Sequence, residues 1–87
     1  MSIKGMDTDA VRQLAATMNN AKDQIQQLQQ QLSQQLQNVQ WIGPDREQFL
    51  GDWQSQHVPS LTNVVQAIEA AAQRAVQNAT EQDQVSA

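Results

Sequence analysis

The sequence predicts an all-α protein, an antiparallel two-helix hairpin with a Trp-x-Gly turn that dimerises into a four-helix bundle. Apolar residues recur at alternating steps of three and four along both halves of the chain, which is the spacing of a helix with one apolar side. Gly43 and Pro44 interrupt this pattern close to the midpoint, so the chain should reverse there. Because a lone hairpin leaves half of each apolar stripe exposed, a second hairpin is expected to cover it.

Helix one is predicted over about residues 8–40, with Asp7 as its N-cap. Neither Gly nor Pro occurs in this range, and ten of the 17 residues in 24–40 are glutamine. Such a tract is either an aggregation-prone segment or the solvated face of a helix, and the unbroken apolar phase favours the helix. The apolar positions are Val11, Leu14, Met18, Ala21, Ile25, Leu28, Leu32, Leu36 and Val39.

The turn is predicted at residues 41–43, and the second helix begins directly after it. Pro44 suits the first position of a helix, where its missing N–H would have no partner in any case. Asp45 and Glu47 then fall in the first turn, where the helix dipole favours negative charge. The boundary between the two helices therefore lies at Gly43.

Helix two is predicted over about residues 44–80. Pro59 lies in its interior and removes one backbone hydrogen bond, so we expect a kink near 56–60, and the sequence leaves a full break there open. The apolar pattern stops after Ala79, which predicts a flexible polar tail over 81–87. A short loose lead-in is expected over residues 1–6.

Folding at Gly43 should place residues whose numbers sum to about 85 opposite one another. Leu36 would then face Phe49, and Leu32 would face Trp53. The residues expected to form the hairpin packing and the dimer interface are Leu28, Leu32, Leu36, Phe49, Trp53, Leu61 and Ile68.

Composition argues against several classes of function. The net charge is −4 and the five cations are scattered singly, so nucleic acid is not an expected partner. No apolar run approaches the roughly 18 residues that span a bilayer, and residues 1–10 lack the apolar core of a cleaved signal peptide. With no Cys, no Tyr and one His, an enzyme, a cofactor or a metal site is not expected. His57 is either a polar residue beside the kink or a pH-sensitive contact at a partner surface.

Trp41 and Gly43 form a Trp-x-Gly motif between two helical halves of similar length. Together with the stretch W-I-G-P-D-R-E-Q-F-L-G-D-W, which adds Phe49 and Trp53 after the turn, the chain resembles the WXG family of small type VII secretion substrates, in its actinobacterial branch. The resemblance implies a helical hairpin that forms a homodimer, or a heterodimer with a sibling WXG protein. It also implies secretion without a cleaved signal peptide, by an ATPase of the secretion machine, and a role as an effector or as an adaptor or carrier.

The same resemblance points to Trp41 and Gly43 as the turn motif and recognition surface, although Trp41 could instead only plug the end of the bundle. Two features depart from the family. Pro59 disturbs a helix expected to be smooth, and the absence of Tyr removes the usual Tyr-x-x-x-Asp/Glu export signal. Export would then depend on a partner, or on another element around residues 78–83. The alternative is an intracellular coiled-coil scaffold, in which the Trp-x-Gly segment is only a turn.

Overall fold

The computed structural model describes residues 5–86, apart from the side chain of Ser86. The predicted lead-in is described only at Gly5 and Met6, since residues 1–4 lie outside the described residues, as does residue 87 at the end of the predicted tail. Every regular element in this range is helical, and the chain folds back once. The predicted helical hairpin is therefore confirmed for the single chain.

Helix α1 spans Thr8–Asn38. Asp7 caps it as predicted, because its carboxylate accepts a hydrogen bond of 3.2 Å from the backbone N–H of Ala10. The glutamine-rich tract is helical up to Asn38. Val39 has an extended backbone with φ −70° and ψ 140°, so residues 39 and 40 belong to the connection and not, as predicted, to the helix.

Helix α2 spans Pro44–Asp52 and begins at the predicted residue. Gly43 precedes it with φ 134° and ψ 173°, a backbone conformation that is essentially restricted to glycine. The Gly43 carbonyl also accepts a hydrogen bond of 3.1 Å from the backbone N–H of Arg46. The reversal thus occupies residues 39–43, and its last residue directs the chain into α2.

A π-helical turn over Trp53–His57 joins α2 to helix α3, which spans Val58–Ser86. The backbone N–H of Val58 donates to the carbonyl of Trp53, the wide spacing of a π turn. Pro59 follows directly and has no N–H to donate. The irregularity that the sequence placed at 56–60 therefore lies slightly earlier, and the chain stays helical from Pro44 to Ser86, which we call the second arm.

The second arm continues past its predicted end at residue 80. Residues up to Ser86 are helical, where the sequence predicted a flexible tail from Glu81. Near this end, Arg12 and Asp83 form an ion pair of 2.7 Å between α1 and α3. Asp83 thus contacts α1 beyond Ala79, the last position of the predicted apolar pattern.

The seam between α1 and the second arm is narrow and rich in alanine. Ala15 and Ala72 are each 1% exposed, Ala79 is fully buried, and Val65 is the one larger buried residue among those described. The buried and partly buried positions of α1 along the seam are Val11, Ala15, Met18, Lys22, Ile25, Gln29, Ser33 and Leu36, and Thr8, Arg12 and Ala21 beside them are partly buried as well. The corresponding positions of the second arm are Leu50, Trp53, Val58, Leu61, Val65, Ile68, Ala72, Ala75 and Ala79. Successive positions are three or four residues apart, except for one step of five across the π turn, from Trp53 to Val58.

The register of the two arms follows the predicted pairing only near the connection. Trp53 and Ser33, whose numbers sum to 86, are hydrogen-bonded, close to the expected sum of about 85. The ion pairs further away join residues with sums of 91 (Lys22 and Glu69) and 95 (Arg12 and Asp83). The π turn contributes to this displacement because it takes up an extra residue.

Candidate interaction face

One flank of α1 carries large apolar side chains that its own hairpin does not cover. Leu28 is 56% exposed, Leu14 is 54% exposed, and Leu32 and Val39 are each 46% exposed. At about 100° per residue, Leu14, Leu28 and Leu32 lie about 60–100° to one side of the α1 seam, together with Ala21, and Val39 follows them in the connection. They form one continuous stripe along the helix.

The second arm presents a matching flank. Phe49 and Val64 are each 46% exposed, and Ala71 is exposed as well. These residues lie on the same rotational side of their own seam, and in two antiparallel helices that side falls on one face of the pair. We call this surface the apolar face, and its members are Leu14, Ala21, Leu28, Leu32, Val39, Phe49, Val64 and Ala71.

Two shallow grooves mark the apolar face near the connection. The first is lined by Leu32, Gln35, Leu36, Val39 and Trp41. The second is lined by Phe49, Trp53, His57, Ser60, Leu61 and Val64. The rings of Trp41 and Phe49 lie 5.5 Å apart at an angle of 55°, so the connection packs on the second arm between the grooves.

The opposite face of the hairpin is polar, with Val76 as its large apolar member. Arg12 and Asp83 pair across it at 2.7 Å, and Lys22 and Glu69 pair at 3.2 Å. A hydrogen bond from Arg12, and then one from Thr8, lowers the pKa of the Asp83 carboxyl from its ordinary value of 3.8. The ion pairs between the two arms therefore lie away from the apolar face.

The residues predicted to pack fall into two groups. Leu36, Trp53, Leu61 and Ile68 are partly buried along the seam. Leu28, Leu32 and Phe49 lie on the apolar face instead. Leu32 was expected opposite Trp53, but that position is taken by Ser33, which accepts the indole N–H.

The sequence reading missed four seam residues of α1: Ala15, Lys22, Gln29 and Ser33. They are small or polar and carry no hydrophobic signal. Each of them directly follows an apolar position of the heptad. The same three-and-four spacing, moved one residue toward the C-terminus, would therefore have identified them.

Trp41 and Gly43, the predicted recognition residues, lie together at the end of the hairpin. Trp41 is 38% exposed, and the neighbouring Ile42 is 97% exposed. They line a concave surface with Arg46 and Glu47, which form an ion pair of 3.1 Å with each other. A large apolar surface and a single compensated ion pair thus share this end.

Within residues 5–86, no three His, Cys, Asp or Glu side chains are placed so that they could hold a metal ion. None of the helices in that range has the length and hydrophobicity needed to cross a membrane. Comparison of the chain with protein-family models, with curated proteins and with solved structures finds no match in any of the three.

Proposed function

We propose that two copies of this chain pair through their apolar faces into a four-helix bundle, and that the protein is a non-enzymatic WXG-type substrate of a type VII (ESX-like) secretion system. The observation that carries the pairing is the stripe of half-exposed leucines. Single exposed apolar side chains are ordinary on protein surfaces, but a contiguous apolar patch marks an interaction site. Here the patch runs along α1 and is matched by Phe49 and Val64 on the second arm.

Charge favours a second copy as the occupant of this face. Residues 24–44 contain no charged side chain, and residues 53–68 contain only His57 as an ionisable group. Along these two segments, identical apolar faces can therefore approach without repulsion between like charges, in the self-complementary manner of a two-fold dimer. The ion pairs on the polar face are already satisfied within each hairpin.

The secretion half of the proposal is supported by the end of the hairpin. Gly43 has a backbone conformation that requires glycine, and Trp41 lies beside it with more than a third of its surface exposed. These are the two residues of the Trp-x-Gly motif, and an exposed Trp at one end suits recognition by the secretion ATPase. In this proposal the chain is secreted without a cleaved signal peptide and acts as an effector, or as an adaptor or carrier for another substrate.

The missing Tyr-x-x-x-Asp/Glu signal leaves two routes for export. One is a sibling WXG chain that carries the signal and occupies the same apolar face. The other is the helical end of α3 around Asp83, which is held against Arg12. An intracellular coiled-coil scaffold is the alternative function, since it would use the same apolar face without export.

Solution mass tests the pairing. Light scattering on the purified chain should give a mass near twice 9.7 kDa. Leu28→Glu should give a monomer, because it places a charge on the apolar face. Gln30→Glu is the matched control, since Gln30 lies about 200° further around α1 on the polar side. If the wild type is a monomer that pairs only with a sibling chain, the partner of the apolar face is that sibling and not a second copy.

Localisation tests secretion separately. In a bacterium with an active type VII system, the intact chain should be found in the culture medium, and deletion of the secretion ATPase should retain it in the cell. Trp41→Ala should reduce export while light scattering still reports a dimer. Detection only inside cells with a working system would favour the intracellular scaffold.

A further inference from the structure

His57 is the one ionisable side chain that lines the grooves of the apolar face among the described residues. It is exposed and lies in the groove with Phe49, Trp53 and Leu61. Its ring centroid is 6.0 Å from that of Trp53, at an angle of 53°. A second hairpin that covers this groove must therefore cover His57 as well.

No ion pair compensates a positive charge at this position. On α2 the nearest carboxylate in sequence is Asp52, and it forms no ion pair with His57. On α1 the segment facing the π turn lies around Ser33 and is uncharged. On α3 the first charged residue is Glu69, which pairs with Lys22 on the polar face. A protonated His57 thus depends on water for its solvation.

We propose that His57 makes the pairing of the hairpins acid-sensitive. This inference rests on the proposed dimer. Docking removes the imidazole from water, which disfavours its charged form, so protonation favours the separated hairpins. The dimer should therefore be weaker at acidic pH than at neutral pH. The contact with Trp53 already exists in the single hairpin, so docking does not add it as a replacement for the water lost.

The dissociation constant should be measured by analytical ultracentrifugation at about pH 7.5 and pH 5.5, at one ionic strength. Each histidine that must lose its proton on docking raises the dissociation constant by at most about tenfold per pH unit, so the wild-type constant should rise by on the order of 10–100-fold between pH 7.5 and pH 5.5. His57→Gln should lose this response, because it removes the imidazole and leaves every other titrating group in place.

Two further variants separate charge from other effects. His57→Lys should raise the dissociation constant at pH 7.5, since it places a permanent charge in the groove. Gln66→Lys should leave it unchanged, because Gln66 is exposed and lies about 200° further around α3 than Val64. Circular dichroism at both pH values shows whether each variant remains helical.

The outcomes distinguish this inference from the pairing on which it rests. A wild-type dimer with the same dissociation constant at both pH values would overturn the role of His57 and leave the pairing intact. An equal pH response in His57→Gln would overturn it as well. A wild type that is monomeric at pH 7.5 would overturn both the dimer and the acid sensitivity.

Discussion

The indole N–H of Trp53 donates a hydrogen bond of 2.8 Å to the hydroxyl of Ser33 across the seam of the hairpin. Both side chains are partly buried, so water does not readily replace either partner. The link sets the register of the two arms near the connection, where no ion pair joins α1 to the second arm in the described part of the chain.

Ser33→Ala should destabilise the hairpin by about 1 kcal/mol, because it leaves the Trp53 N–H without its acceptor. Urea denaturation followed by circular dichroism measures the change. Ser55→Ala is the matched control, since Ser55 is exposed and makes no hydrogen bond through its side chain. In a Trp53→Phe background the cost of Ser33→Ala should disappear, and an equal cost in both backgrounds would contradict the assignment.

Gly43→Ala should destabilise the protein by about 1–3 kcal/mol, because its φ of 134° is strained for any residue with a Cβ. The cause is the backbone alone, since a Cβ at this position would meet no atom within 4 Å. Gly51→Ala provides the comparison. It has the same open surroundings but lies inside α2, so it should stabilise the protein by about 0.5–1 kcal/mol. Thermal unfolding of both variants should therefore shift in opposite directions.

Asp83→Asn should remove a pH-dependent contribution to stability. The pKa of this carboxyl is lowered in the folded chain, chiefly by Arg12, so its ionised form stabilises the fold above the ordinary value of 3.8. That contribution is lost as the pH falls through the lowered pKa. Wild type and Asp83→Asn should differ at neutral pH and converge in acid, when unfolding is followed over pH.

Glu81→Gln is the control for this comparison, because Glu81 is exposed and forms no ion pair. Its unfolding should follow the wild type over the same pH range. Amide hydrogen exchange adds a local measurement, since the last turns of α3 should exchange faster in Asp83→Asn than in wild type at neutral pH. Equal exchange in both would show that Arg12 does not hold this end of the helix.

Ile25→Ala and Leu28→Ala should affect different equilibria. Ile25 is partly buried in the seam, so its truncation should cost the dilute, unpaired chain about 2 kcal/mol. Leu28 is more than half exposed there, and its truncation should cost that chain less than about 1 kcal/mol. Leu28→Ala should instead weaken association, measured by sedimentation. Similar costs for both variants at low concentration would contradict the division between seam and apolar face.

The helical hairpin could be predicted because its signals are local. The apolar spacing predicts α1, the cap at Asp7 and the start at Pro44 are visible in the sequence, and the glutamine tract keeps its phase. The division of the apolar stripe could not be predicted. Leu14 and Leu28 belong to the same heptad as Val11 and Ile25, and only the direction of the second arm decides which of them the hairpin covers.

The end of α3 and the register also depend on contacts between residues distant in sequence. Asp83 lies beyond the last apolar position, and its pairing with Arg12 follows from the fold. The π turn before Pro59 changes the phase of the second arm, which a reading based on a constant step did not anticipate. On α1, the apolar spacing predicts Leu32 in the seam, while the structure places Ser33 there and Leu32 on the apolar face.

The difference between the two faces of the hairpin also limits how far assembly can proceed. The apolar face lies on one side of the hairpin, so once two such faces meet, neither is left to recruit a third chain. Raising the concentration should therefore increase the fraction of paired chains without producing longer polymers. The glutamine-rich residues 24–40 would in this way be kept out of fibres, because the leucines of the apolar face are buried in a closed pair.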